Sequence, residues 1–321
     1  MTQKTLSRRE AGALMMGSAG ALAATSAVAA GGAGKSIASS RLPTDPREIM
    51  EALVRIYGTT GPKRVTWKTR ITVYAVQPSG VTPLIGLRGS ESSWWTRKDE
   101  STWVRYSSTL SFFEDLQTRQ FIEEFRNPLN GHVGKLGVSF IRHKEGEYFT
   151  PMGEYFGSMK KAFPAVYPDE PLTADWDMDA GMVRLRGASN FPPILRQPTK
   201  ETATLVVRAA ELFDKRVETP EATVSGWNIR PWEPFLGMGD APGHVIWHFD
   251  GVKLTDVEQL DADYLARARA HTPLFDRSPQ FDEGPSFFER VIEMCLITTS
   301  FSGRSFGPLG VSAMAFTTSR F

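Results

Sequence analysis

The stretch "RVTWKTRITVYAV" (64–76) alternates without a break. Val65, Trp67, Thr69, Ile71 and Val73 point one way, and Arg64, Thr66, Lys68, Arg70 and Thr72 point the other. Side chains repeat every two residues in a strand and every 3.6 in a helix, so the pattern predicts a strand with one buried and one wetted face. "TWVRYSSTLSFF" (102–113) alternates likewise, with Val104, Tyr106, Ser108, Leu110 and Phe112 together. "RQFIEEFRNPLNGHVGKLGVSFIR" (119–142) reads as a hairpin turning at Asn127 to Gly131. Residues 201–213, 221–227 and 243–249 are further strand candidates. This pattern implies a mainly β, β-rich α+β fold: a large antiparallel curved sheet or barrel with about three peripheral helices.

The helices announce themselves by their caps. Asp45, Pro46 and Glu48 open one over 45–58, and Ile49, Leu53, Val54 and Tyr57 share its apolar face. Thr255 and Glu258 open a second over 255–270, with Val257, Leu260, Tyr264, Leu265 and Ala268 as its stripe. Ser286 and Glu289 open a third, "SFFERVIEMCL". No repeat and no long internal linker is visible, so residues 45–321 are expected to form a single β-rich domain.

The first 29 residues read as an export signal. "SRRE" (7–10) precedes a run of Ala, Gly and Ser, and Ala27-Val28-Ala29 supplies a small-residue cleavage site near Ala29. The arginine pair points to the twin-arginine route and a periplasmic protein. Residues 30–44 read as a flexible leader. Cleavage removes Lys4, Arg8, Arg9 and Glu10, taking 37 basic and 36 acidic residues to 34 and 35. A mature chain so near neutrality has no basic footprint for nucleic acid, and no later apolar run is long enough for a membrane helix. Cys295 is the single cysteine, which excludes an internal disulfide.

Several motifs fail on inspection. "GRSFG" (303–307) imitates a nucleophile elbow, but Pro308 follows it and no Asp, Glu or His lies beyond Ser305. "DWDMDAG" (175–181) begins like a calcium loop, yet Ala180 and Arg186 occupy the positions that need Gly and Glu. Ser158 and Lys161 lack the companion motifs of serine β-lactam enzymes, and the glycines near Gly31 lack the first P-loop glycine. Of the five histidines (132, 143, 244, 248 and 271), His244 and His248 share a strand face but lie roughly 13 Å apart, too far for one metal. Neither a metal nor a cofactor is expected.

Two stretches carry a resemblance. "FFEDLQTRQFIEEFRNPLNGHVGKLGV" (112–138) holds Asp115, Thr118, Asn127, Pro128 and Gly131 in a D-x-x-T…NP-x-x-G core. The other is "SGWNIRPWEPFLGMGDAPGHVIWHFDGVKL" (225–254). Together they resemble the DUF1838 family, exported bacterial proteins of unknown function. The resemblance implies one domain and export, and it transfers no catalytic residue.

The candidate site therefore rests on chemistry. Trp227, Trp232 and Phe235, stiffened by Pro231 and Pro234, offer an aromatic wall, and Met238 an adaptable one. Glu233, Asp240, His244 and His248 stand nearby as polar groups. Arg105 with Tyr106, Trp94 with Trp95, and His132 with Arg142 and His143 are further candidates, depending on which face each occupies. The first expectation is an exported cofactor-independent lyase, isomerase or hydrolase for a small aromatic or amphipathic molecule held in a barrel pocket. His244 or His248 would carry the proton, Arg105 or Arg142 would clamp an anion, and Trp227, Trp232, Phe235, Met238 and Tyr106 would hold the substrate. The alternatives are a periplasmic protein that carries a hydrophobic ligand unchanged, and a structural protein with a filled interior and an exposed apolar patch.

Overall fold

A computed structural model describes residues 41–286, apart from 163, 165, 166, 168, 195 and 196, together with Glu289. The export segment, most of the leader, Cys295, "GRSFG" and the body of the third expected helix lie outside the described residues. That helix's capping box is formed: Ser286 N donates to Glu289 Oε2 at 2.6 Å and Glu289 N to Ser286 Oγ at 3.1 Å.

The described chain opens on helix α1 (Pro46–Tyr57). Strands β1 (Val65–Gln77), β2 (Gly80–Asp99) and β3 (Thr102–Glu114) follow, then the short pair β4 (Glu124–Arg126) and β5 (Val133–Lys135). Next come β6 (Ser139–Thr150), β7 (Gly153–Phe156), α2 (Gly157–Ala162), β8 (Asp175–Asp179), β9 (Met182–Ile194), β10 (Gln197–Arg208) and α3 (Ala209–Leu212). β11 (Ala222–Arg230), β12 (His244–Leu254) and α4 (Ala262–His271) complete it, with short 3₁₀ turns between. Ten strands form one antiparallel sheet in the order β7-β6-β3-β2-β1-β12-β11-β10-β9-β8. Two meanders thus meet where the first strand pairs with the last. β7 and β8 do not pair with each other, so the sheet is open among the described residues.

The sheet nevertheless curls. From β6 to β10 is six strand spacings, about 29 Å if flat. Arg55 and Tyr57 stand about 200° apart on α1, on opposite sides of the helix. Arg55 Nη2 donates to Glu211 O at 2.9 Å beyond β10, while the Tyr57 ring lies 6.1 Å from Phe149 on β6. One helix touches both places because the sheet wraps around it. The main core fills this α1 face, with Val73, Ile85, Leu205, Phe249 and the α1 residues Met50, Val54 and Ile56 among its most buried members. The other face is covered in part by α4, through Tyr264, Leu265, Leu110 and Phe112.

The alternation in β1 holds. Its apolar residues meet the core, and Lys68 on the other face pairs with Asp261 at 2.6 Å. Asp45 caps α1 as expected, accepting from Arg47 N and Glu48 N. The helix expected over 255–270 is split. Asp256 and Gln259 form the reciprocal cap in place of Thr255 and Glu258, Leu260 is extended, and α4 restarts after Asp261, which is drawn to Lys68. The hairpin over 119–142 is also shorter than expected, because from Ser139 onward the chain leaves β5's partner and joins β3. The strand over 201–213 ends at Arg208, where α3 begins. Asp177 and Asp179 pair with Arg184, at 3.2 and 3.3 Å, and Asp177 also pairs with Arg186, so the acidic stretch is a hairpin edge.

Lys253, on the central strand β12, ties the sheet to the C-terminal end of α1. It is 7% exposed, and its Nζ donates to Arg55 O, Ile56 O and Gly58 O at 2.6, 3.1 and 3.1 Å. A cation at a helix C-terminus is favourable, though burial and nearby Arg55 push this amine down to about 7. Lys253→Met keeps the stem and strips the carbonyls of their donor. It is expected to lower stability by about 2 kcal/mol in urea unfolding, with the m-value unchanged.

Candidate functional site

The two stretches that carry the resemblance dock on each other. Asn127, fully buried, donates from Nδ2 to Leu236 O at 2.7 Å and lies 3.3 Å from Met238 Sδ. Asn130 Nδ2 donates to Leu236 O and Gly237 O at 3.1 and 3.0 Å. The turn is held from within by Gly131 N to Asn127 O, with Gly131 at φ +75°. A Cβ on Gly134 would stand 2.0 Å from Phe235 O, so only glycine admits this approach. Asp115 closes the other turn, accepting from Gln117 N, Thr118 N and Thr118 Oγ1 at 2.9, 2.7 and 3.0 Å. The shared residues are thus a clasp that draws the β11–β12 loop over the end of β3, where Phe113 and Phe235 meet edge to face at 5.3 Å. Asn127→Ala should cost about 2 kcal/mol and speed amide exchange at Leu236 to Met238 ahead of the sheet.

Beside the clasp, on the α1 face, polar groups converge. Glu201 on β10, Asn228 on β11 and Trp247 on β12 form one cross-strand row that continues to Val73. Directly opposed residues in a row bring their Cβ atoms to about 5 Å. Asn228 Nδ2 donates to Glu201 Oε2 at 3.0 Å, and Arg230 Nε donates to Asn228 Oδ1 at 2.8 Å. Arg230 stacks 4.5 Å over the Trp247 ring and pairs at 3.7 Å with Glu233. Glu201 and Asn228 are 5% and 2% exposed, whereas Arg230, Trp232, Glu233 and Trp247 are half-buried. This buried polar floor beneath a half-buried rim marks the candidate recess. Burial pushes the Glu201 carboxyl up to about 7, against the pull of Asn228 and Arg230. Burial likewise raises Glu233 despite Arg230. Trp247 Nε1 is buried and has no hydrogen-bond partner among the described residues.

The expected site residues are dispersed by strand alternation. Phe249 and Gly226 face α1, so their neighbours His248 and Trp227 face the other way and sit opposite each other there. His244 shares that face. His248 is 42% exposed, with Nδ1 3.9 Å from Asp250 Oδ2. Arg105 does face α1, but it is committed: Nε lies 2.7 Å from Glu147 and Nη1 3.3 Å from Glu91 in a buried cluster. Arg142 grips Asp282 on the far face, at 2.5 and 2.7 Å, and Leu274 O at 2.8 Å. Tyr106 lies beside Gly146, away from the recess. Phe235 and Met238 belong to the clasp. Trp232, the remaining member of the expected wall, packs against the main core and donates from Nε1 to Ala241 O at 2.8 Å. Glu201, Asn228, Arg230 and Trp247 were not anticipated. The i,i+2 spacing of Asn228 and Arg230 was a signal, but Glu201 becomes their neighbour only through the β10–β11 register.

A cleft of about 550 Å³ lies elsewhere, between the end of β3, the β4–β5 pair and α4. Phe113, Ile122 and Leu136 line it with Glu123, Lys135 and Arg267. Glu123 is 81% exposed and bound to Arg267, so these are solvated rim charges, and the buried convergence of the recess makes it the stronger candidate.

A family model described as "Protein of unknown function (DUF1838)" matches residues 62–286. No curated protein matches the chain. A crystal structure of a DUF1329 family protein from Desulfovibrio piger ATCC 29098 is similar at 10% identity, over 69% of this chain and 97% of that one, with a TM-score of 0.20. At that score the likeness supports no inference about fold or function.

Proposed function

Because the chain belongs to the DUF1838 family, whose description assigns no activity, we propose a function from the geometry of the recess: an exported, periplasmic enzyme that works without a bound cofactor, by acid–base chemistry, on a small aromatic or amphipathic molecule. The reaction class is that of an isomerase, lyase or hydrolase. Glu201 takes the role of proton carrier expected of His244 or His248, and Arg230 the polar anchor expected of Arg105 or Arg142. Trp232 and Trp247 form the wall. The observation that carries this reading is the row Glu201–Asn228–Trp247 with Arg230 beside it, one carboxyl held by an amide that a guanidinium holds in turn, next to a half-buried indole. A carboxyl poised near neutrality both takes and returns a proton at little cost.

The test begins with mass spectrometry of small molecules that co-purify with the exported protein. The recovered compound should bind wild type and Glu201→Gln alike, and only wild type should convert it. A compound that binds and is returned unchanged by wild type would leave a carrier and remove the enzyme.

A further inference from the structure

A buried polar atom without a partner is rare in a folded protein and calls for an explanation. Among the described residues Trp247 Nε1 is such an atom on the α1 face, and it stands in the same row as Glu201, with Arg230 stacked on its ring. An indole N–H can only donate. Its missing partner is therefore an acceptor, and the recess already places a second donor, Arg230, beside it. Glu201 stands across Asn228 in the same row, with Oε2 held by Asn228 and Oε1 outside that bond.

Resting on the reading of the recess as the reaction site, we propose that its ligand is a carbonyl compound whose oxygen sits on Trp247 Nε1, with the carbon next to the carbonyl presented to Glu201. The step this arrangement performs is enolisation. The C–H bond beside the carbonyl breaks, its proton passes to Glu201 Oε1, and its electron pair becomes the new C=C bond. The carbonyl π pair moves onto oxygen, where Trp247 Nε1 and Arg230 meet the developing charge. Return of a proton from Glu201 to the same carbon restores the ketone, and return to a more distant conjugated carbon gives an isomer. No oxidant or second reactant is needed.

Acetophenone and ethylbenzene share a ring and chain length and differ in the oxygen, so they test the assignment as a pair by calorimetry on the full chain. Acetophenone is expected to bind about tenfold tighter, the worth of one hydrogen bond to an otherwise unpaired buried donor. Trp247→Phe should abolish the ratio while leaving ethylbenzene affinity within about twofold. Because the ratio is internal to each variant, a general loosening of the fold moves both ligands together. In D₂O, wild type should exchange the methyl hydrogens of acetophenone, and Glu201→Gln should keep the binding ratio and lose the exchange. Equal binding of the two compounds, or a ratio that survives Trp247→Phe, overturns the assignment while leaving an apolar recess in place. Absence of exchange by wild type overturns the enolisation step. Failure of both compounds to bind removes the recess as a site, and this inference with it.

Discussion

Arg105→Met is expected to destabilise the protein by about 3–5 kcal/mol at pH 8, the range for removing one partner of a buried ion pair. Glu147 and Glu91 are 1% and 8% exposed, and Arg105 lies 2.7 and 3.3 Å from them. Glu154, half-buried on β7, faces the same group. Burial and the adjacent Glu147 hold its carboxyl well above the ordinary carboxylate range, against Arg105. Burial also raises Glu91, against Arg105. One guanidinium thus serves three carboxyls, and methionine fills its volume without its charge. The acids can relieve the loss by taking up protons, which sets the sign of the pH effect. A carboxyl raised in the folded state contributes stability that is complete below its unfolded pKa and is lost as pH rises through the folded value. The penalty of Arg105→Met should therefore be smaller at pH 5 than at pH 8 in urea unfolding. Adding Glu147→Gln and Glu91→Gln should recover most of it, because the stranded charges are then gone. A loss below about 1 kcal/mol at pH 8 would mean that water already screens the cluster.

That cluster also shows why parts of the fold were legible and others were not. β1 was plain because each of its faces meets a uniform neighbour, apolar core on one side and charges around Asp261 on the other. β2 runs beside it in the same register, yet its α1 face carries Gly89, Glu91 and Ser93 opposite Thr69, Trp67 and Val65. A buried row made of glycine, glutamate and serine erases the alternation that would announce it. What makes the row tolerable is Arg105, two strands from β1 and remote in sequence. The site failed to appear for a related reason. Trp227 and His248 do lie together, but which face they occupy is decided by Gly226 and Phe249, and a single residue of register exchanges the faces. Glu201 stood at the head of an ordinary strand pattern. Its chemistry comes from Asn228 and Arg230, which pairing, and not proximity in the chain, brings to it.

Glu201→Gln is expected to make the protein more stable and, under the proposed function, inactive. The wild-type carboxyl is 5% exposed and lifted to about 7 in the folded state. Its unfolded value is about 4.3, so folding favours the protonated form. Stability from this group is complete below about pH 4.3 and falls as pH rises through about 7, by about 1.4 kcal/mol per unit of difference, or roughly 4 kcal/mol in all. Glutamine keeps an oxygen for Asn228 Nδ2 and does not ionise. The variant should match wild type near pH 4 and exceed it by up to about 4 kcal/mol at pH 8, with the gap opening between the two values. Turnover should fall at least about a hundredfold, the usual weight of a positioned proton carrier, with substrate affinity little changed. Wild-type turnover should also rise through pH 7 as the carboxyl ionises to act as base. A variant less stable than wild type at both pH values would show that the carboxyl is there to hold Asn228 and Arg230 in place. A stabilised but inactive one would show a buried charge kept at the expense of the fold, which only a function at the recess explains.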